Sequence, residues 1–123
     1  MVKLVLLFRR RRDLSTEEFL RYWRQEHVPL VQRVPGIVRY VLSPVASSPD
    51  TAEPPVDGMA ELWFEDQESL QAALASAETR ATALDARNFI ERGSLSRFSC
   101  TEEDASPGRP RTRLTPGPHA DPG

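Results

Sequence analysis

The chain has 123 residues, 39% of them hydrophobic, and a formal net charge of −2. That length suffices for one domain around one core, and the near-neutral charge gives no general electrostatic reason to bind nucleic acid or an anionic membrane. No apolar run approaches the ~20 residues needed to span a bilayer, and the one cysteine, Cys100, excludes an internal disulfide and a thiolate metal cluster.

Val2 to Arg9 (VKLVLLFR) is short, apolar and almost unbroken, which predicts a strand buried on both faces. Arg9 to Arg12 follow this apolar segment, whereas a signal peptide carries its charge before it, so a cytoplasmic protein is expected. Ser15 followed by Glu18 matches a capping box and predicts a helix from Thr16 to about Gln32, with Phe19, Leu20, Trp23, His27, Leu30 and Val34 on its inner stripe. Pro29 sits inside that helix, removes one amide and should bend the last turn. Pro35-Gly36 ends it. Ile37 to Val45 is a second predicted strand, Ser47 to Asp57 a proline-rich loop, and Gly58 to Glu65 (GMAELWFE) a third strand. Asp66 is placed to cap a second helix through Leu70, Ala73, Leu74 and Ala77, continuing at Ala81 to Phe89 after a break near Thr79. Leu95 to Thr101 is the fourth strand.

From Glu102 the composition changes. Five of the 11 prolines and three of the 6 glycines lie in residues 102–123, with almost nothing apolar. Such a segment cannot offset its ordering entropy by burial, so a domain over 1–101 and a disordered tail over 102–123, carrying His119, are expected.

The order β-α-β-β-α-β implies an α+β, ferredoxin-like fold: a four-stranded antiparallel sheet with both helices on one face. The strands are apolar on both faces, so the far face needs a cover, and the simplest is a second copy in a two-fold homodimer.

His27 is the only histidine in the part expected to fold. Phe19, Trp23 and His27 are spaced four apart, which puts the imidazole on the inward helix face. Two readings stay open: a core histidine satisfied by a carbonyl, or an acid–base group. Glu61 alternates with Trp63 on the third strand. Inside an apolar strand its carboxylate needs a partner, either an arginine such as Arg39 or Arg97, or His27 across the pocket. Tyr40 and Tyr22 carry phenols able to hold a substrate oxygen or simply to pack. Tyr40 is the better pocket candidate, mid-strand, while Tyr22 should turn away from Trp23. Trp23 and Trp63, with Phe19 and Leu30, are candidate pocket walls, core packing being the alternative. No His-x-x-x-His or Cys pair suggests a metal, and no glycine-rich phosphate loop is present.

The segments KLVLLFRR, LSTEEFLRYWRQEHVPLV, PGIVRYV and DGMAELWFED together resemble the EthD family of the dimeric α/β-barrel superfamily. The combination of Tyr22-Trp23, His27 four residues on, Pro29-Leu30 and the later Glu61-Leu62-Trp63-Phe64 carries the resemblance. It implies a ferredoxin-like fold that dimerises through its sheets into an α/β barrel, with a pocket between sheet and helices. Related barrels include polyketide cyclases, anthrone monooxygenases, emodin-type dehydratases and a methylmuconolactone isomerase, which work without metal or organic cofactor. His27 falls on the family motif, which favours the acid–base reading. The expectation is therefore a cofactor-free enzyme of secondary metabolism, a polyketide cyclase or dehydratase acting on a small hydrophobic substrate. Its catalytic groups would be His27, Glu61 and Tyr40, with Trp23, Trp63, Phe19, Leu30 and Tyr22 contacting substrate. A cofactor-independent monooxygenase and a non-catalytic small-molecule binder are the alternatives.

Overall fold

A computed structural model describes residues 1–108. Four strands, β1 (Val2–Phe8), β2 (Arg39–Pro44), β3 (Gly58–Phe64) and β4 (Ser96–Cys100), form one sheet in the order β2-β3-β1-β4 with every neighbouring pair antiparallel. The helices are α1 (Thr16–Tyr22), a π-helical turn at Trp23–His27, α2 (Val28–Val31), α3 (Gln67–Leu74) and α4 (Ala77–Ala86). This is the ferredoxin-like β-α-β-β-α-β arrangement expected of the sequence. Residues 109–123, which include His119 and most of the expected tail, lie outside the described residues.

The first helix begins where the capping box places it. The Glu18 amide donates to Ser15 Oγ at 3.1 Å, and the Ser15 amide donates to Glu18 Oε1 at 2.9 Å. Pro29 does more than bend the last turn. It has no N–H to give the Gln25 carbonyl, and the backbone widens one turn earlier, where the Val28 amide bonds the Trp23 carbonyl. The wide turn absorbs an extra residue, so the inward face slips by one beyond it. Val31, not Leu30, joins Phe19, Trp23, His27 and Val34 in burial.

Asp66 caps α3 as expected, accepting from the Ser69 amide at 2.8 Å. The break before α4 falls at Ala75–Ser76 rather than near Thr79. Ser76 Oγ accepts from the Thr79 amide at 3.2 Å and starts a new helix, while the Thr79 hydroxyl donates back to the Ala73 carbonyl at 2.6 Å.

Register assigns the two sheet faces. Leu4, Leu6 and Phe8 of β1 stand beside Leu62, Ala60 and Gly58 of β3 and face the helices. Lys3, Val5 and Leu7 stand beside Trp63, Glu61 and Met59 on the opposite face. Both indoles are buried, but on different faces. Phe98 of β4 pairs with Val5 and is 48% exposed on the outer face. Glu102, expected to begin the tail, is instead anchored: it accepts from Trp63 Nε1 at 2.9 Å and from Lys3 Nζ at 3.1 Å. No helix among the described residues is long and apolar enough to cross a membrane.

Between sheet and helices lies an aromatic cluster. Phe8 packs edge-on against Phe19, Trp23 and Phe89 at centroid separations of 6.1, 5.0 and 6.0 Å. Such pairs contribute about 0.5–1.5 kcal/mol each beyond area burial. The cluster closes because position 58 has no side chain: a Cβ there would lie 2.6 Å from Phe8 Cε1 and 3.0 Å from Trp23 Cζ3. Gly58→Ala should therefore displace Phe8 and Trp23 and cost about 1–3 kcal/mol of stability, the range for overpacking. Equilibrium urea unfolding measures it, and an unchanged midpoint would refute the close approach.

Candidate active site

His27 ends the π-helical turn and is the one buried polar side chain among the described residues, 9% exposed. Its ring lies 4.7 Å from that of Phe89, which is fully buried. The imidazole is thus held against the aromatic cluster, and only its edge nitrogens are left to polar partners.

The partner of Nδ1 is Asp85, at 2.8 Å from Oδ2. Asp85 stands at the end of α4 and is itself fixed on its other oxygen. Tyr22 donates its hydroxyl to Oδ1 at 2.6 Å, and Asn88 Nδ2 donates to the same oxygen at 3.2 Å and to the Tyr22 hydroxyl at 3.0 Å. Burial pushes the Asp85 carboxyl up, but the hydrogen bonds from Tyr22, His27 and Asn88 together outweigh it and hold it below the usual aspartate range. Burial pushes His27 down, and Asp85 only partly offsets this. The imidazole is therefore neutral at pH 7. With Asp85 ionised, the proton sits on Nδ1 and donates to it, which leaves Nε2 as an acceptor. No bond to Nε2 occurs among the described residues.

His27 lines an apolar cavity of about 100 Å³ between the sheet and helices, with Trp23, Tyr40, Leu62, Phe64 and Ala86 among its walls. Tyr40 reaches it from β2, in register with Leu62. Burial drives the Tyr40 phenol up to about 12, while a hydrogen bond from the Trp23 indole acts the other way. The raised value leaves the phenol protonated at neutral pH, with a proton to offer. Site and core share Trp23, which packs on Phe8 and lines the cavity together with Tyr40.

The other expected site residues lie elsewhere. Glu61 does not orient His27. It is on the outer sheet face, where Lys3 Nζ donates to Oε2 at 2.7 Å, because strand alternation sends positions 61 and 63 away from the helices. Trp63 goes with it, its indole bonded to Glu102 and its ring covered by the Arg39 guanidinium at 4.5 Å. Neither walls the cavity. Phe19 is core beneath the site, and Leu30 is turned off the inward face by the π turn. Tyr22 does turn from the cavity, and its hydroxyl donates to Asp85. Asp85 was missed by sequence reasoning. No spacing in the sequence pairs it with His27, because it lies 58 residues away on another helix. Among the described residues, no group of three or more His, Cys, Asp or Glu side chains is placed to hold a metal ion.

Residues 11–93 match the EthD domain family. An EthD family protein from Bacillus halodurans superposes with a TM-score of 0.71 at 28% identity, over 83% of this chain and 98% of that one. A dimeric protein of ferredoxin-like fold from Bacteroides fragilis superposes at 0.58 with 18% identity, over 80% and 93%. SnoaB, a cofactor-independent oxygenase from Streptomyces nogalater, superposes at 0.58 with 19% identity, over 86% and 96%. The last two are alike in fold.

The depressed His27 pKa has a direction that can be measured. By NMR, the His27 ring should titrate below the ordinary histidine value of 6.5, and lower still in Asp85→Asn, which removes the group that raises it. Because the folded value lies below the unfolded one, the stability it contributes is present above pH ~6.5 and is lost as pH falls through the folded value. A His27 titration at or above 6.5 would contradict the burial.

Proposed function

The chain belongs to the EthD domain family, and on that premise we propose that it is an enzyme moving protons on an apolar, oxygenated substrate. The substrate class is a polyketide or related aromatic precursor, and the reaction a cyclisation or dehydration that draws on no metal or organic cofactor. One observation carries this reading: a buried imidazole with Nδ1 committed to Asp85 and its ring edge on an apolar cavity.

His27 Nε2 takes a proton alpha to a substrate carbonyl. Asp85 fixes the tautomer that makes Nε2 basic and stabilises the imidazolium that forms. The neutral Tyr40 hydroxyl donates to the enolate oxygen. The enolate then closes a ring, or expels a hydroxyl that leaves as water with the proton His27 returns. Apolar walls strengthen both charges by excluding water and fold the substrate for attack. The likeness in fold to a cofactor-independent oxygenase supports a second reading, in which the same base generates a carbanion that meets molecular oxygen.

Turnover of a panel of aromatic polyketide precursors, followed by mass spectrometry with an oxygen electrode in parallel, separates these readings. His27→Asn should lower kcat by about 10²–10⁴-fold, the range for removing a general base, with substrate affinity nearly retained. Asp85→Asn should lower kcat less while keeping KM. Stoichiometric oxygen uptake would select the oxygenase. Undiminished turnover in His27→Asn would refute His27 as the base, and binding without turnover of any precursor by the native chain would leave only a binding protein.

The outer sheet face is assigned to a second copy of this chain. It carries Val5, Leu7, Val41 and the exposed Phe98 around the Lys3–Glu61–Glu102 ion pairs, and a matched neighbour of this fold is dimeric. Sedimentation equilibrium at micromolar concentration should give twice the 13.8 kDa chain mass. A monomer there would refute it, and Phe98→Glu should produce one.

A further inference from the structure

The cavity wall contains a cation that the proton-transfer chemistry does not use. Arg97 lies on β4 opposite Leu6 of β1, so its side chain is on the helix-facing side of the sheet, and it lines the same cavity as His27 and Tyr40. It is exposed, as is its neighbour Leu95, so these two form the open rim while His27 and Trp23 lie in the buried part. Arg11 and Arg12 are paired with Asp13 and Glu91. Arg97 has no carboxylate partner among the described residues.

The other polar side chains of the cavity are committed. The Thr79 hydroxyl donates to the Ala73 carbonyl at 2.6 Å and the Thr82 hydroxyl to the Thr79 carbonyl at 2.7 Å. His27 Nδ1 belongs to Asp85. What remains for a ligand is one imidazole nitrogen and one phenol deep in the cavity, and one guanidinium at its rim. The groove that adjoins the rim through Ala86, Ile90 and Leu95 is lined by Arg11, Arg87 and Arg92 against the single acid Glu91. The approach to this cavity is therefore basic, although the chain as a whole is weakly acidic.

We propose that Arg97 is the specificity residue of the site and that the substrate is a free carboxylic acid: its apolar body fills the cavity and its carboxylate pairs with the Arg97 guanidinium at the rim. A planar guanidinium matches a carboxylate with two parallel N–H donors, a geometry no neutral ester or amide can return. The pairing also fixes orientation. With the carboxylate held on β4, the apolar end of the molecule is directed inward, towards His27 and Tyr40. This rests on the cavity being the reaction site, but it is read by binding alone.

The test uses the full chain at pH 8 and low salt, with benzoate and its neutral isostere benzamide as probes. Dissociation constants come from calorimetric titration, and the location from the shift of the His27 ring-proton signal. Benzoate should move that signal and bind at least about tenfold tighter than benzamide, as expected of hydrogen bonds to a charged group. Arg97→Gln should abolish the preference by weakening benzoate while leaving benzamide unchanged, and Arg97→Lys should restore part of it. His27→Asn should keep the preference, so a failure of the catalytic reading would show separately in turnover. Equal affinities in the native chain, a preference that survives Arg97→Gln, or no response of His27 to either probe would each overturn the proposal.

Discussion

The position of one imidazole depends on an extra residue wound into a helix. Pro29 cannot donate to the Gln25 carbonyl, and a regular helix through it would also press its ring on that carbonyl. The backbone resolves both by opening to a π turn over Trp23–His27. That turn leaves His27 buried against Phe89 and rotates the rest of the helix so that Val31 and Val34 complete the core. The local irregularity of the chain and the chemically capable residue coincide, as π turns often do.

Around that point, packing and chemistry use the same atoms. Phe8 meets Phe19, Trp23 and Phe89 edge to face, and Gly58 allows this by having no side chain to interpose. Trp23 also lines the cavity beside Tyr40, and Phe89 supports the ring of His27. Burial acts on the two groups in a useful way. It disfavours charge on both, so the imidazole stays a base and the phenol stays a donor at neutral pH. Asp85 remains ionised beside them because three hydrogen bonds from Tyr22, His27 and Asn88 replace the water it lost.

The sheet divides the molecule into two chemistries. Its helix-facing side is apolar apart from the site. Its outer side carries a compact polar group in which Lys3 serves both Glu61 and Glu102, while Trp63 bonds Glu102 and stacks under Arg39. Lys3 is held charged chiefly by the Glu61 hydrogen bond, against its own desolvation. The polar group ties the segment after β4 to β1 and β3. It also gives the outer face a fixed pattern of charge within an apolar surround, which suits a surface meeting its own copy.

The sequence by itself determined the order of elements, because strand runs, the Ser15–Glu18 box and the Asp66 cap are local signals that act over a few residues. It determined that His27 faces inward, since helical spacing from Phe19 and Trp23 is also local. It pointed to Tyr40 as a cavity residue, although β2 starts at Arg39 and Tyr40 stands near its beginning rather than in mid-strand. It did not determine which face of β3 meets the helices. Leu62 and Phe64 are as apolar as Trp63, so alternation alone permits either side, and only the pairing of β3 with β1 sent Glu61 and Trp63 outward. Leu30 and Val31 are likewise equivalent until the π turn chooses between them. The partner of His27 was beyond any local pattern: Asp85 lies 58 residues away on another helix, and Arg97 joins the cavity only because β4 closes against β1. Side-chain period fixes which residues share a face, but which faces meet, and therefore which charges do, is decided by the packing of whole elements.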